Sequence, residues 1–166
     1  TKRMSFGKNT VDKMAFMFND NKSFAKHIQE SGTKAEDVVE QIIKEKNIPY
    51  HRPKGRGLKI DYVLDISDKV KGVELKYQND TQTAYEKVPH AVFKYAFHNP
   101  KPLDEIWLLL FGKGWEQILE SPAGDRIINH IKLIQDASDT EIVVITDIKD
   151  FIKKLTGEEI KGNNFF

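Results

Sequence analysis

The chain has 166 residues, a net charge of +1 and no cysteine. This length favours a single domain with a substantial core, and the absence of cysteine excludes disulfides, thiolate nucleophiles and thiolate zinc sites. No apolar run approaches the roughly 20 residues that span a bilayer, and the polar start of the sequence lacks a signal-peptide pattern, so a cytoplasmic protein is expected.

Two helical segments are predicted before the first strand. Apolar residues at helical spacing over residues 10–30, with a break near residues 19–21, indicate one or two short helices. Thr33, followed three residues later by Glu36, fits a capping box that begins the next helix. That helix is expected to run to about Lys46. Its predicted buried face comprises Ala35, Val38, Val39, Ile42 and Ile43.

A basic loop follows this helix. Residues 51–60 contain four cations and no acid, and two glycines let the backbone approach a phosphate chain closely. The alternative interpretation is a flexible linker, but such a loop can also supply salt-dependent affinity for nucleic acid. The expected nucleic-acid contacts are Arg52, Lys54, Arg56 and Lys59, with Lys87 further along the chain.

Two alternating segments, residues 58–66 and 71–78, predict neighbouring strands joined by a short polar link. Side chains two apart on a strand point to the same side, so Glu74 and Lys76 share one face. If the strands form a hairpin, Asp61 can lie across from Glu74. Two carboxylates and an ammonium this close are costly unless a divalent cation neutralises the acids, which indicates a magnesium site for phosphodiester chemistry.

The second half of the chain alternates helices with buried strands. Its predicted elements are a helix over residues 83–97 that bends or restarts near Pro89, strands over residues 104–111 and 141–146, and a helical region over residues 115–135 that is interrupted at residues 121–124. Asp147 is expected to cap a last helix that ends at Gly157. The order predicts an α/β fold, in which helices flank both faces of a mixed sheet.

A helix with Glu36, a strand with Asp61 and the run Glu74-Leu75-Lys76, in an αβββαβ order, resemble the PD-(D/E)XK, or restriction endonuclease-like, nuclease superfamily. Ile60 stands where the eponymous proline of that family stands. The resemblance covers residues 33–146, and two shorter segments look similar to parts of type II restriction endonucleases. It implies one domain over residues 1–166. Its parts would be an N-terminal helical extension (1–32), a catalytic core (33–146) and a C-terminal helix and tail (147–166).

The resemblance also implies metal-dependent hydrolysis. The implied catalytic residues are Asp61, Glu74, Lys76, Glu36 and Gln78, and the implied ligands of Mg²⁺ are Asp61, Glu74 and the backbone carbonyl of Leu75. Mn²⁺ is expected to substitute for Mg²⁺. Lys76 would orient or help to deprotonate the attacking water, Glu36 would bind the metal through a water, and Gln78 would contact a phosphate or a water.

Each of these residues also has an ordinary structural interpretation. An acid–lysine cluster on neighbouring strands is often only a solvated cross-strand charge pair. Asp65, on the same strand face, competes with Asp61 for the metal role. Glu36 is also the capping-box partner of Thr33, and Glu40, one turn further along, is its alternative in the metal site.

The sequence therefore predicts a Mg²⁺-dependent endonuclease that cuts double-stranded DNA, of the sequence-specific restriction or homing type. A homodimer is expected, because two symmetric active sites suit two antiparallel strands. Three alternatives stay open: a Holliday-junction resolvase, a secreted nuclease toxin acting on DNA or tRNA, and a non-catalytic nucleic-acid-binding module on the same fold.

Overall fold

The alternating and continuous apolar segments of the sequence form one five-stranded sheet in the computed structural model, which describes residues 21–57, 59–81, 83–99, 101–158 and 160. The strands are β1 (Tyr50–His51), β2 (Tyr62–Ile66), β3 (Lys69–Tyr77), β4 (Glu105–Phe111) and β5 (Glu141–Ile145). The α-helices are α1 (Asn21–Ser31), α2 (Ala35–Glu45), α3 (Val88–His98), α4 (Lys113–Leu119), α5 (Pro122–Ala137) and α6 (Ile148–Leu155). A 3₁₀ helix over Thr83–Lys87 precedes α3.

The sheet is mixed. Its strands lie in chain order: β2 is antiparallel to both β1 and β3, whereas β3, β4 and β5 are parallel. The predicted polar link between β2 and β3 is a tight turn. Ser67 and Asp68 adopt φ angles of 52° and 60° there, the left-handed pair that suits a two-residue hairpin. This turn sets the register of β2 against β3.

Helices cover both faces of the sheet, which confirms the predicted α/β class. Helices α1, α2 and α6 pack on one face with the inward side chains of β2 and β3. Helices α3, α4 and α5 pack on the other face. Strand β4 is buried at every position, as its continuous apolar run predicts. Among the described helices, none combines the length and apolarity needed to cross a bilayer.

Several predicted boundaries are confirmed. The helix expected to restart near Pro89 is a 3₁₀ segment followed by α3, and the interruption expected at residues 121–124 lies at residues 120–121, between α4 and α5. The carboxylate of Asp147 accepts a hydrogen bond from the Lys149 amide at 2.8 Å and so caps α6. That helix ends at Leu155, two residues before the predicted end.

The predicted capping box is wrong. Helix α2 begins at Ala35 with Lys34 as its N-cap, and no side chain caps it. The carboxylate of Glu36 contacts Arg52 instead, because the fold brings this guanidinium within hydrogen-bonding distance of it. The predicted apolar face of the helix is nevertheless correct, since all five of its residues are buried.

The first part of the chain is described only from residue 21, and it contains one strand that the sequence did not indicate. Much of the helical segment expected over residues 10–30 lies outside the described residues, whereas Phe24 and Ile28 do pack in the core. Strand β1 was not predicted, because two residues are too few to show a strand period. With β1 included, the element order from α2 to β4 is α-β-β-β-α-β.

Gly112 allows the start of α4 to approach the end of β3. Its φ angle is 105°, and a Cβ atom there would collide with the carbonyl oxygen of Gln78. We expect Gly112→Ala to lower the free energy of unfolding by about 3 kcal/mol, because backbone strain and a collision with backbone add together. Gly157→Ala is the matched control: its φ is 82° but the space beside it is open, so about 1 kcal/mol is expected. Urea unfolding measures both, and equal losses would contradict the collision.

Candidate active site

The last four residues of β3 have no neighbouring strand on the side of β2. Strand β2 begins at Tyr62, which pairs with Val73, whereas β3 continues to Tyr77. Beyond Val73 the backbone of β3 therefore has no β2 partner. A cleft of about 570 Å³ lies at this opening, lined by the connection between α1 and α2, by the end of β3 and by the 3₁₀ segment.

Asp61 and Glu74 lie opposite each other in this opening, as predicted. Asp61 is the residue just before β2, and the register that pairs Tyr62 with Val73 places it across from Glu74. One carboxylate oxygen of Asp61 accepts a hydrogen bond from the Leu75 amide at 2.8 Å. The N–H and C=O groups of one strand residue point to the same side, so the carbonyl of Leu75 also faces the opening.

Glu74 is buried but sits between two charged groups. Only 3% of the residue is exposed. Burial raises the pKa of Glu74 to about 7, and the neighbouring Asp61 carboxylate contributes to this rise, while Lys76 opposes both effects. The Nζ atom of Lys76 lies 3.3 Å from Oε2 of Glu74. Near neutral pH, Glu74 therefore needs either a proton or additional positive charge beside it.

Lys76 links the buried acid to the cleft. Its side chain is 36% exposed and lines the cleft together with Asp61. The indole N–H of Trp115 donates to the carbonyl of Lys76 at 2.9 Å, which fixes the backbone at this point. Trp115 is buried at the start of α4, so it supports the site by packing beneath it.

Tyr95 is a member of the site that the sequence did not indicate. Its hydroxyl donates to the carbonyl of Lys59 at 2.7 Å, and it interacts with the carboxylate of Glu74. Burial raises the pKa of Tyr95, and the charge of Glu74 adds to this effect, so the phenol stays protonated as a donor. Helical spacing places Tyr95 on the buried face of α3, but only the tertiary fold brings that face to Glu74.

Glu36 lines the cleft but its carboxylate does not join Asp61 and Glu74. It pairs with Arg52 at 2.9 Å. The hydroxyl of Tyr62 donates to the backbone carbonyl of Glu36 at 2.5 Å, which holds the start of α2 over β2. The predicted water-mediated role would require Glu36 to leave its partner.

Arg52 occupies the centre of an acidic cluster instead of projecting towards solvent. Its guanidinium contacts Glu36 at 2.9 Å and Glu40 at 3.0 Å, and it lies 5.2 Å from the centre of the Tyr62 ring. Burial alone would raise the pKa of Glu40, but hydrogen bonds from Tyr50 and Arg52 outweigh it, so the pKa lies below its usual range. To contact a phosphate, Arg52 would have to give up these contacts. Glu40 would have to give them up to bind a metal.

We expect Arg52→Ala to act mainly on stability. It leaves the carboxylates of Glu36 and Glu40 without their cation, so the free energy of unfolding should fall by about 1–2 kcal/mol. The salt dependence of nucleic-acid binding should change little. Lys54→Ala is the control, because Lys54 is exposed on the same loop; it should change binding and leave stability intact. If nucleic-acid affinity falls more with Arg52→Ala than with Lys54→Ala, Arg52 contacts a phosphate as the sequence predicts.

Of the remaining predicted residues, Gln78 lines the cleft, whereas Lys87 and Asp65 do not. Gln78 follows β3 directly, lines the cleft and donates through its side chain to the Asp80 carbonyl at 2.7 Å. Lys87 is exposed at the end of the 3₁₀ segment. Asp65 pairs with Val70 at the far end of the hairpin, four residues and about 13 Å from Asp61, which is too far to share a metal with Glu74.

The donor set at the opening fits a hard divalent cation. Among the described residues, no group of three or more acidic, histidine or cysteine side chains could hold a metal, so the protein ligands would be two carboxylates and the Leu75 carbonyl. Oxygen donors of this kind, completed by water, are what Mg²⁺ prefers. The raised pKa of Glu74 beside Asp61 is the electrostatic signature of a site that a cation would stabilise.

Fold and site together define an α/β protein with a buried glutamate, a half-buried aspartate and a lysine at the open end of a sheet strand. Comparisons of the chain with known protein families, with curated proteins and with solved structures found no match. Asp61, Glu74 and Lys76, through their geometry and electrostatics, therefore carry the functional inference.

Proposed function

We propose that this protein is a Mg²⁺-dependent endonuclease that hydrolyses phosphodiester bonds of double-stranded DNA. The observation that carries the proposal is the cluster of Asp61, Glu74 and Lys76 at the open end of β3, beside a cleft. The α-β-β-β-α-β order from α2 to β4 supports a restriction endonuclease-like core.

The burial of Glu74 separates this cluster from a solvated charge pair. A cross-strand pair on a solvated face would be exposed at both partners, whereas Glu74 is almost fully buried and lies against a second carboxylate. Burying charge in this way lowers stability unless it is compensated. A function that needs a cation at this position accounts for the arrangement.

The residues of the cluster have distinct roles in hydrolysis. Asp61, Glu74 and the Leu75 carbonyl would hold Mg²⁺, which when bound supplies the charge that polarises a phosphate and acidifies water. The hydrogen bond from the Leu75 amide holds the Asp61 carboxylate in place. The ammonium of Lys76 projects to the cleft, where it orients the attacking water and offsets the charge that develops on the phosphate.

Cleavage of supercoiled plasmid and phage DNA, with Mg²⁺, with Mn²⁺ and with EDTA, tests the proposal. Discrete bands that vanish with EDTA are expected, and mapping their ends would give the recognition site. Cutting both strands needs two active sites, which a symmetric homodimer supplies, so linear product should exceed nicked product. Cleavage restricted to four-way junctions or to tRNA would show that this nucleic acid, and not double-stranded DNA, is the substrate. Retardation of DNA in a gel without any cleavage would indicate a non-catalytic binding module.

A further inference from the structure

A second groove lies beside the hairpin of β2 and β3, on the side away from α2. Its volume is about 490 Å³. Three segments that are distant in sequence line it: the basic loop (residues 51–57 and 59–60), the β2–β3 hairpin, and residues 99 and 101–103 after α3. We call it the basic groove.

Positive charge lines the rim of the basic groove. Its four cations are Lys54, Arg56, Lys59 and Lys101. All four are exposed, and among the described residues none of them forms an ion pair with a carboxylate, in contrast to Arg52. Asp65 is the acidic residue of the lining. The rim therefore carries an excess of uncompensated positive charge that fits a polyanion.

The floor of the basic groove is apolar. Its residues include Ile60, Val63, Val70, Pro102 and Leu103. Ile60 and Leu103 belong to a small core cluster with Tyr95, and Val63 and Val70 pack at its edge with part of their surface exposed. Intact duplex DNA presents mainly phosphates and sugars to a protein surface. An apolar floor beneath a cationic rim instead suits a nucleotide whose base is unpaired and can leave the stack.

The basic groove adjoins the candidate active site. Lys59 on its rim and Asp61 in the cluster are two residues apart, at most about 7 Å between their Cα atoms. Tyr95 contacts both regions, since its hydroxyl donates to the Lys59 carbonyl and interacts with Glu74. A strand with a phosphate at the cluster can therefore place its neighbouring nucleotide in the groove.

We infer that the basic groove binds an unpaired nucleotide segment of the strand that is cleaved. Cleavage of that strand rests on the proposed function, whereas binding in the groove does not. The base lies on the Val63 and Val70 floor, while Lys59 and Lys101 contact the flanking phosphates. The preferred substrate is then a duplex with a single-stranded flap, a gap or an opened base pair next to the scissile bond.

Binding of labelled oligonucleotides by fluorescence anisotropy, in EDTA, tests the inference without cleavage. A duplex with a single-stranded flap should bind about fivefold more tightly than a blunt duplex of the same length, because burial of about 40 Å² of apolar base surface on the floor contributes this factor. The double variant Lys59→Ala/Lys101→Ala should lose about tenfold of the flap affinity and lower the salt dependence. Lys132→Ala, an exposed lysine on α5, is the matched control and should bind like wild type.

A second variant separates the floor from the rim. Val63→Thr keeps size and charge but makes the floor more polar, so the preference for the flap should shrink while blunt-duplex affinity stays constant. Circular dichroism and thermal unfolding confirm that each variant is folded. Inorganic polyphosphate should compete poorly, because it has no base to occupy the floor.

Three results would overturn the inference: equal losses for flap and blunt duplex in the double variant, equal binding of both ligands by wild type, or full competition by polyphosphate. The Mg²⁺ cleavage assay distinguishes the two proposals. A flap preference that depends on Lys59 and Lys101, in a protein that cuts no DNA, would support the groove inference and remove the nuclease function. Cleavage of DNA, with flap binding unchanged in the groove variants, would support the nuclease function and remove the groove inference.

Discussion

Lys76→Ala should lower the rate of DNA cleavage by about 10³-fold, the loss that follows removal of a positioned electrostatic donor in an active site. The ammonium lies 3.3 Å from Glu74 and projects into the cleft, where a scissile phosphate would gain negative charge in the transition state. Truncation to a methyl group at this position removes that charge and leaves the backbone contacts of β3 in place. Single-turnover cleavage at saturating Mg²⁺ measures the effect.

The same substitution should have little effect on folding. Without Lys76, the Glu74 carboxyl loses a cation that lowers its pKa, so it binds a proton more readily and avoids an unpaired buried charge. Thermal unfolding at neutral pH should therefore differ from wild type by no more than about 1 kcal/mol. In EDTA, where DNA is not cleaved, the affinity for DNA should fall by the contribution of one lysine–phosphate contact.

Lys69→Ala is the matched control for Lys76→Ala. Lys69 lies at the opposite end of β3 and is exposed, so its removal changes the net charge equally without touching the cleft. It should cleave at the wild-type rate. Lys76→Arg keeps the charge but introduces a larger planar group and should restore only part of the activity. A Lys76→Ala protein that still cleaves within about threefold of wild type would remove Lys76 from the mechanism.

The opposition of Asp61 and Glu74 could be predicted from the sequence because it depends only on local rules. Side-chain alternation assigns faces to a strand, and a two-residue turn then sets the register of a hairpin. The turn at Ser67 and Asp68 is such a case. The buried helix face, the interruption between α4 and α5 and the Asp147 cap likewise depend on neighbours within one or two turns.

The errors concern contacts between residues distant in sequence. Glu36 was predicted as a capping-box partner, but the fold brings Arg52 next to it, and its carboxylate pairs with that guanidinium instead. Tyr95 and Lys101 carried no motif that could have identified them. They reach the candidate site and the basic groove only because α3 and the segment after it pack beside the hairpin.

Glu74→Gln should abolish cleavage, with a loss of about 10³-fold or more, and should also change the pH dependence of stability. In EDTA the pKa of Glu74 is about 7 in the folded protein and near 4.5 in the unfolded chain. A raised pKa means that the folded state binds the proton more tightly. The contribution of Glu74 to stability is therefore complete below about pH 4.5 and is lost as the pH rises through about 7, a change of about 3 kcal/mol.

Replacing the Glu74 carboxyl by an amide removes this ionisation, so the unfolding free energy of Glu74→Gln in EDTA should vary less between about pH 5 and about pH 8 than that of wild type. At the upper end of this range the variant should be the more stable protein. Mg²⁺ should reverse that order, because it stabilises only the protein that binds it. Glu141→Gln, at an exposed position on β5, is the control and should follow wild type in every condition. Parallel curves for wild type and Glu74→Gln, with equal responses to Mg²⁺, would show that Glu74 neither titrates near neutrality nor holds a cation.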